Sequence, residues 1–327
     1  MQVSFKNLII STLLRIQFFI AGILSWLFIR LGIVKPLAKA MAKLAHNPRL
    51  KRSAFKGYTP DKHDIVVCTF GKSGTNWALQ IVTQTAWYGE AEFNHIHDIV
   101  PWAEAQMLPY IVELDKPTYE QSPAGLRALK THFESEYVPY AESSKYITVI
   151  RDPKDVLLSA WFFIRNLMPV IRDLNIDDFI DMFLEGATIF GSWSRHTAGY
   201  WNWRDRPNVL ILFYSEMIQD LAESVRRISH HMSVNLTEEQ FSKVVYKSGF
   251  AYMQEHDKKF APNIPGLTRN SRKPIMVRAG KTGSARDVLN SEQQNRIDQT
   301  IMEQLKNLGS EFPYTALFCG TDTQGPA

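Results

Sequence analysis

The 327-residue chain has two cysteines, Cys68 and Cys319. That is too few for a disulfide framework, and the poverty favours a reducing compartment over an oxidising one. The chain also lacks internal repeats, low-complexity tracts and any Cys or acidic cluster beside its one His-x-His pair, His95 and His97, so no metal site is expected there. A lone sequon, Asn235-Leu236-Thr237, carries little weight. The most pointed absence is acidic: residues 1–60 hold ten Lys or Arg and no Asp or Glu. They carry +10, while the remainder carries −6. A basic, hydrophobic front on a slightly acidic body points to membrane attachment and away from a nucleic-acid surface.

Hydrophobic residues make up 45% of the chain, enough for a sizeable core in one large domain or two small ones. In the front segment, Arg15 and Arg30 bracket a 14-residue apolar stretch, Ile16 to Ile29. That is short for crossing about 30 Å of hydrocarbon. With polar residues near one helical stripe (Ser4, Asn7, Ser11, Arg15, Gly22, Ser25), it reads as a helix in the membrane interface or dipping into one leaflet. It has neither the compact basic start nor the small-x-small site of a cleaved signal peptide. Seven basic residues follow (Lys35, Lys39, Lys43, Arg49, Lys51, Arg52, Lys56), a run that prefers the cytoplasmic side and anionic headgroups. The expected organisation is a membrane-associating segment over 1–56, a catalytic domain over 57–320 and a disordered tail over 321–327.

The body opens on Asp64-Ile-Val-Val-Cys-Thr-Phe70, the pattern of a buried parallel strand. Gly71-Lys72-Ser73-Gly74-Thr75-Asn76-Trp77 follows and runs into a helical pattern. Strand, Gly/Ser/Thr loop and helix start make a phosphate cradle, since glycine lets backbone approach an anion and free N–H groups at the helix start point at it. It is not a Walker A loop, which would need glycine at position 66, where Val66 stands. A second buried-strand pattern, Lys145 to Arg151, ends in Asp152-Pro153, an N-cap followed by proline at the first helical position. Ser159 falls about two turns into that helix. Arg151 offers a bidentate fork to a phosphate and Ser159 a hydroxyl.

The string Thr69-Phe-Gly-Lys-Ser-Gly-Thr-Asn-Trp77 resembles the 5′-phosphosulfate loop of the cytosolic-type sulfotransferases, which use 3′-phosphoadenosine 5′-phosphosulfate (PAPS). Gly71 stands where that family usually has proline, a change expected to loosen the loop. Further blocks resemble the family in order: Val100-Pro-Trp-Ala-Glu104, Leu129-Lys-Thr-His132, Arg151-Asp-Pro-Lys-Asp155 through Ser159, Phe213-Tyr-Ser-Glu-Met217 and Arg278-Ala-Gly-Lys-Thr-Gly283. The resemblance implies His132 as general base, and Lys72 and Lys130 as cations beside the transferring group. It implies donor binding by Lys72, Ser73, Gly74, Thr75, Asn76, Trp77, Arg151, Ser159, Tyr214, Phe250, Arg278 and Gly280, with Trp77 and Phe250 flanking adenine. It implies no metal. Ala279 and Ser284-Ala285 depart from the family pattern in the late loop. Its dimer motif is not recognisable in 286–296, so the oligomeric state is left open.

Strands at about 64–70, 126–131, 145–151 and 208–214 alternate with helical patterns. The expected fold is α/β, a parallel central sheet flanked by helices with ligand at the carboxyl ends of the strands, and the resemblance implies a form similar to P-loop nucleotide kinases. The expected reaction moves a sulfuryl group from PAPS to a hydroxyl of a small, amphiphilic or lipid-like alcohol or phenol. Trp161-Phe162-Phe163 would form an aromatic acceptor wall. The alternatives are a nucleotide kinase of related fold or a non-catalytic PAPS-binding membrane scaffold. The body is expected on the cytoplasmic side of a membrane, a Golgi enzyme with a lumenal body being the alternative. His230-His231 is expected to cap a helix C-terminus.

Overall fold

A computed structural model of the chain describes residues 34–167, 174–262, 276 and 282–319. The apolar stretch before Val34, the late-loop positions Arg278 and Gly280 and the tail after residue 319 lie outside the described residues. No helix among those described is long and apolar enough to cross a membrane.

Four strands form one parallel sheet: β1 (Asp64–Cys68), β2 (Arg127–Thr131), β3 (Lys145–Ile150) and β4 (Val209–Phe213), in the order β2-β1-β3-β4. These are the strands read from the sequence, trimmed by one or two residues at their ends. β1 and β2 are buried throughout because helices cover both faces. Alternate residues serve opposite layers: Ile65, Val67 and Ile147 pack in one cluster, Val66, Cys68 and Tyr146 in another. The polar start of β2 is compatible with burial because Arg127 pairs with Asp64, its register partner, at 2.7 Å.

The α-helices among the described residues are, in chain order, α1 (Val34–Ala45), α2 (Pro48–Ser53), α3 (Thr75–Ala86), α4 (Pro153–Leu167), α5 (Ile176–Leu184), α6 (Trp193–Trp201), α7 (Tyr214–Gln219), α8 (Leu221–His231), α9 (Glu238–Ser248), α10 (Phe250–Glu255), α11 (Ser291–Asn307) and α12 (Tyr314–Phe318). The chain leaves β1 for β2 on one side, then crosses to β3 on the other. The crevice beyond the carboxyl end of β1 is thus a topological switch point, where such sheets bind ligands.

Two expectations need correction. The basic run over 35–56 does not all face outward. Lys35 bridges Asp178 and Asp181 of α5, Lys39 pairs with Glu185, and buried Lys51 holds Glu134 at 2.5 Å. Helices α1 and α2 therefore pack on the body, and Lys43, Arg49, Arg52 and Lys56 are the exposed remainder. His231 is no capping cation, because burial, then the charge of Lys145, pushes its imidazole down to about 4. Trp193, Tyr200 and Trp203 are core.

Candidate active site

The loop between β1 and α3 sits at the switch point. Lys72 takes a φ of 70° and Gly74 one of 98°, so left-handed residues alternate through the turn and aim backbone N–H groups into it. Gly74 caps α3 with no side-chain hydrogen bond, which leaves the first amides of a twelve-residue helix open to an anion. Gly74 has no room for a side chain, which would meet Tyr214 at 2.9 Å. Thr69 and Thr75 share a hydroxyl–hydroxyl bond of 2.6 Å that ties strand end to helix start.

The loop opens into a cavity of about 330 Å³, lined by Lys72, Gly74, Thr75, Asn76, Trp77, Lys130, His132, Arg151, Ser159, Tyr214 and Phe250 among others. Nearly all the expected site residues thus converge. Ser73 differs: it is fully buried outside the lining, and its Oγ finds no hydrogen-bond partner among the described residues. Arg151, directly after β3, makes several contacts that hold it. It donates to the carbonyl of Lys72 at 3.2 Å, lies 4.2 Å from the Tyr214 ring centre and approaches Asp155 at 3.7 Å. Trp77 is anchored and still faces the cavity: its indole donates to the Ser248 carbonyl at 2.8 Å while its ring meets Tyr214. Asn76 lines the cavity but gives its amide to the carbonyl of Phe260 at 3.1 Å.

The opposite wall comes from β2. Parallel pairing continues past Cys68 and Thr131, so Thr69 and His132 are neighbours, and the His132 Nδ1–H donates to the Thr69 carbonyl at 2.8 Å. That bond leaves Nε2 with a bare lone pair. Burial, reinforced by the charge of Lys130, pushes the ring down to about 3, so it is neutral at pH 7. Lys130 is pulled down to about 7 by burial, with Glu104 opposing and Lys72 adding to the shift. Its ammonium lies 3.4 Å from the centre of the Trp102 ring and 3.5 Å from His97 Nε2.

These neighbours were underestimated in the sequence. Trp102 reaches Lys130 because the segment from Val100 docks on β2, Lys130 N–H donating to the Pro101 carbonyl at 2.9 Å. Glu104 accepts from the Thr131 hydroxyl at 2.7 Å and from the amides of His132 and Phe133, and so fixes the chain that carries His132. Asp155 accepts from the amides of Gly283 and Ala285 and anchors the late loop, whose Ser284 reaches the cavity. The His95–His97 spacing was the visible trace of His97. Its Nδ1–H is bound to the Val100 carbonyl, and no metal-binding group of three ligands occurs among the described residues.

The aromatic acceptor wall is narrower than expected. Phe163 lines the cavity, 4.1 Å from the Lys72 ammonium, but Trp161 and Phe162 do not. Successive helical residues point about 100° apart, so three in a row cannot share one face. Trp161 turns to the Leu174 carbonyl and carries Arg165 over its ring.

Such a site, a phosphate loop facing a neutral histidine and two lysines on a parallel sheet, defines a group-transfer enzyme acting on a nucleotide-borne anion. Residues 62–309 match the sulfotransferase domain family, and the chain belongs to that family. Rat sulfotransferase 1C2 is 27% identical over 258 residues, spanning 76% of this chain and 85% of its own. Mouse sulfotransferase 2B1 is 30% identical over 77% of this chain and 73% of its own. Among solved structures, retinol dehydratase in complex with retinol and PAP superposes with a TM-score of 0.64 at 22% identity, covering 81% of this chain and 88% of that one. Mouse sulfotransferase SULT7A1 complexed with PAP gives 0.61 at 21%, over 81% and 92%. The chain is therefore an enzyme of the PAPS-dependent sulfotransferase class, and the kinase alternative is left without support.

Proposed function

We propose that the enzyme transfers the sulfuryl group of PAPS to a hydroxyl of a small, apolar-bodied alcohol or phenol, with His132 as general base. When bound, PAPS supplies an activated sulfuryl group on a good leaving phosphate. His132 Nε2 accepts the acceptor's proton as its oxygen bonds to sulfur and the bond from sulfur to the phosphate oxygen breaks. Lys72 and Lys130 balance charge on the departing phosphate and the transferring group. Arg151 and Ser159 hold the 3′-phosphate, and Trp77, Tyr214 and Phe250 hold the base. Neutralisation by the bound donor's charge raises the affinity of His132 for a proton, which brings a base of about 3 nearer to working range.

The observation that carries this reading is the His132–Thr69 bond, which leaves one nitrogen bare in a cavity shared with two lysines. The apolar remainder, Trp102, Leu108, Phe163, Ile189 and Phe190, supports an apolar acceptor body. We extend the reading to a body held at the cytoplasmic face of a membrane. Its support is the apolar sequence before Val34, the exposed bases Lys43, Arg49, Arg52 and Lys56, and the exposed Leu44 and Leu50 between them. Sulfur-labelled PAPS incubated with the protein and either extracted membrane lipids or small alcohols tests both parts. Label transfer, lost in His132→Ala, is the expected result. Binding of PAPS without transfer to any hydroxyl would favour a scaffold. Protection of the body from protease added to the non-cytoplasmic side of sealed vesicles is expected, and digestion there would reverse the topology.

A further inference from the structure

The two glycines of the phosphate loop abut different aromatic rings. Gly74 faces Tyr214, which with Trp77 and Arg151 makes the nucleotide side. Gly71, four residues before the start of α3, faces Phe190, and there the contact is closer. A Cβ on Gly71 would lie 2.2 Å from Cδ1 of Phe190, 2.7 Å from Cε1 and 2.9 Å from Cγ. No side chain fits between loop and ring, so the ring occupies the volume that a residue at 71 would otherwise fill. The substitution expected to loosen the loop instead lets a side chain from another element lock into it.

Phe190 lines the cavity together with Lys72 and Phe163. Its ring centre lies 6.3 Å from those of Phe70 and Phe163, and Phe163 is the ring that carries the Lys72 ammonium. The turn bearing it is held from outside. Lys39 of α1 pairs with Glu185 at 2.5 Å, and His46, just after α1, hydrogen-bonds the Thr188 carbonyl at 2.7 Å. His46 also packs on Gly191, where a Cβ would meet its Cε1 at 3.0 Å. The turn closes on itself through the Gly191 amide, which donates to the Thr188 carbonyl at 3.2 Å. Phe190 is thus fixed by Gly71 in front and by the segment after α1 behind.

We propose that Phe190, seated in the gap left by Gly71, is the specificity-determining residue of the acceptor site. It restricts acceptors to flat or unhindered hydroxyl compounds, phenols and primary alcohols, and excludes cage-like or branched bodies next to the hydroxyl. This rests on the sulfotransferase reading, but its test need not. 2-Naphthol serves as the flat probe and 1-adamantanol as the hindered one. Binding of each, with PAP present, is measured by calorimetry for the full chain, Phe190→Ala, Gly71→Ala and the double variant, with thermal unfolding recorded for all four. Wild type should prefer 2-naphthol. Phe190→Ala should shift the preference toward 1-adamantanol by about tenfold or more, the scale of deleting wall groups from an apolar pocket. Gly71→Ala alone should lower the unfolding temperature, and adding Phe190→Ala should recover most of that loss, because the clash needs both groups. An unchanged preference in Phe190→Ala overturns the specificity role, and additive unfolding shifts overturn the interlock. Failure of the wild type to turn over any acceptor falls on the sulfotransferase reading alone, since neither readout depends on transfer.

Discussion

His132 donates its Nδ1–H to the carbonyl of Thr69 across 2.8 Å, joining the end of β2 to the last residues of β1 before the phosphate loop. One hydrogen bond thereby sets tautomer, ring orientation and distance from the loop together. Glu104 performs the complementary task on the backbone, accepting from the amides of His132 and Phe133. The proposed base is therefore positioned before any substrate arrives, and that preorganisation makes its loss measurable in isolation.

His132→Ala should lower turnover about 10²–10⁴-fold, the usual contribution of a general base. PAP affinity should change little, because the proposed phosphate contacts lie on the loop after β1 and on the segment after β3. Near-normal turnover, measured with saturating donor and acceptor, would return His132 to a structural role at a strand end.

Arg151→Ala should weaken PAP binding by roughly 2–4 kcal/mol, the scale for removing one partner of a desolvated charge pair. The Lys72 carbonyl and the Tyr214 ring already fix its guanidinium, so little ordering cost offsets the gain. ATP, which has no 3′-phosphate, should bind much more weakly than PAPS. Equal calorimetric affinities for the two in wild type would refute the assignment of Arg151 and Ser159.

Much of this was legible in the sequence. β-Branched runs bounded by turn residues marked all four strands, and a glycine loop before a helical pattern marked the turn that opens into the cavity. Side chains in local strings were legible for the same reason: His132 and Arg151 directly follow strands, and Lys72 lies in the loop after β1, all at the carboxyl end of the sheet. What could not be read depends on contacts between distant segments. The Gly71–Phe190 fit spans 119 positions, and nothing near either residue signals the other. The role of Trp102 required knowing that its segment docks on β2. Charge patterning misled over Lys35, Lys39 and Lys51, because a basic run looks solvated until its carboxylate partners, far along the chain, are folded against it.

Acid should destabilise the donor-free protein over a definite window. His196 is enclosed by Phe70 and Tyr200, and burial, then the charge of Lys51, pushes its imidazole down to about 3, as burial and Lys130 do for His132. An unfolded chain takes up these protons near 6.5, so between about 6.5 and 3 it binds protons that the native state does not. Stability therefore falls as pH drops through that window. Asp152, raised to about 6 by burial despite Lys154, acts in the opposite sense, as does Glu104, also raised by burial. The informative quantity is a difference between variants. The loss in urea midpoint from pH 6.5 to pH 5 should be smaller in His196→Phe, which keeps an aromatic ring and removes the titration. An equal loss in both proteins would mean that His196 is already protonated in the native state.

The packing of α1 and α2 changes where the chain can be cut. Lys51 lies on α2 with its ammonium 2.5 Å from Glu134 and near the rings of Phe133 and Tyr137, and both members of the pair are largely hidden from water. Phe133 and Glu134 directly follow His132, so the pair braces the strand end that carries the proposed base. Removing one partner of a buried pair typically costs about 3–5 kcal/mol, because the other charge is left uncompensated. Lys51→Met should therefore destabilise strongly, and Lys51→Met with Glu134→Gln should recover part of the loss. Removal of residues 1–33 should leave a folded enzyme with its PAP affinity intact and no longer held by membranes. Removal of residues 1–56 should also strip Lys39, His46 and Lys51 from the body, and it should lower the unfolding temperature and turnover together. Thermal unfolding and vesicle sedimentation of the two truncations separate these roles. Equal stability of both would show that α1 and α2 contribute nothing to the catalytic body, and retention of the shorter truncation on vesicles would place membrane binding within residues 34–56.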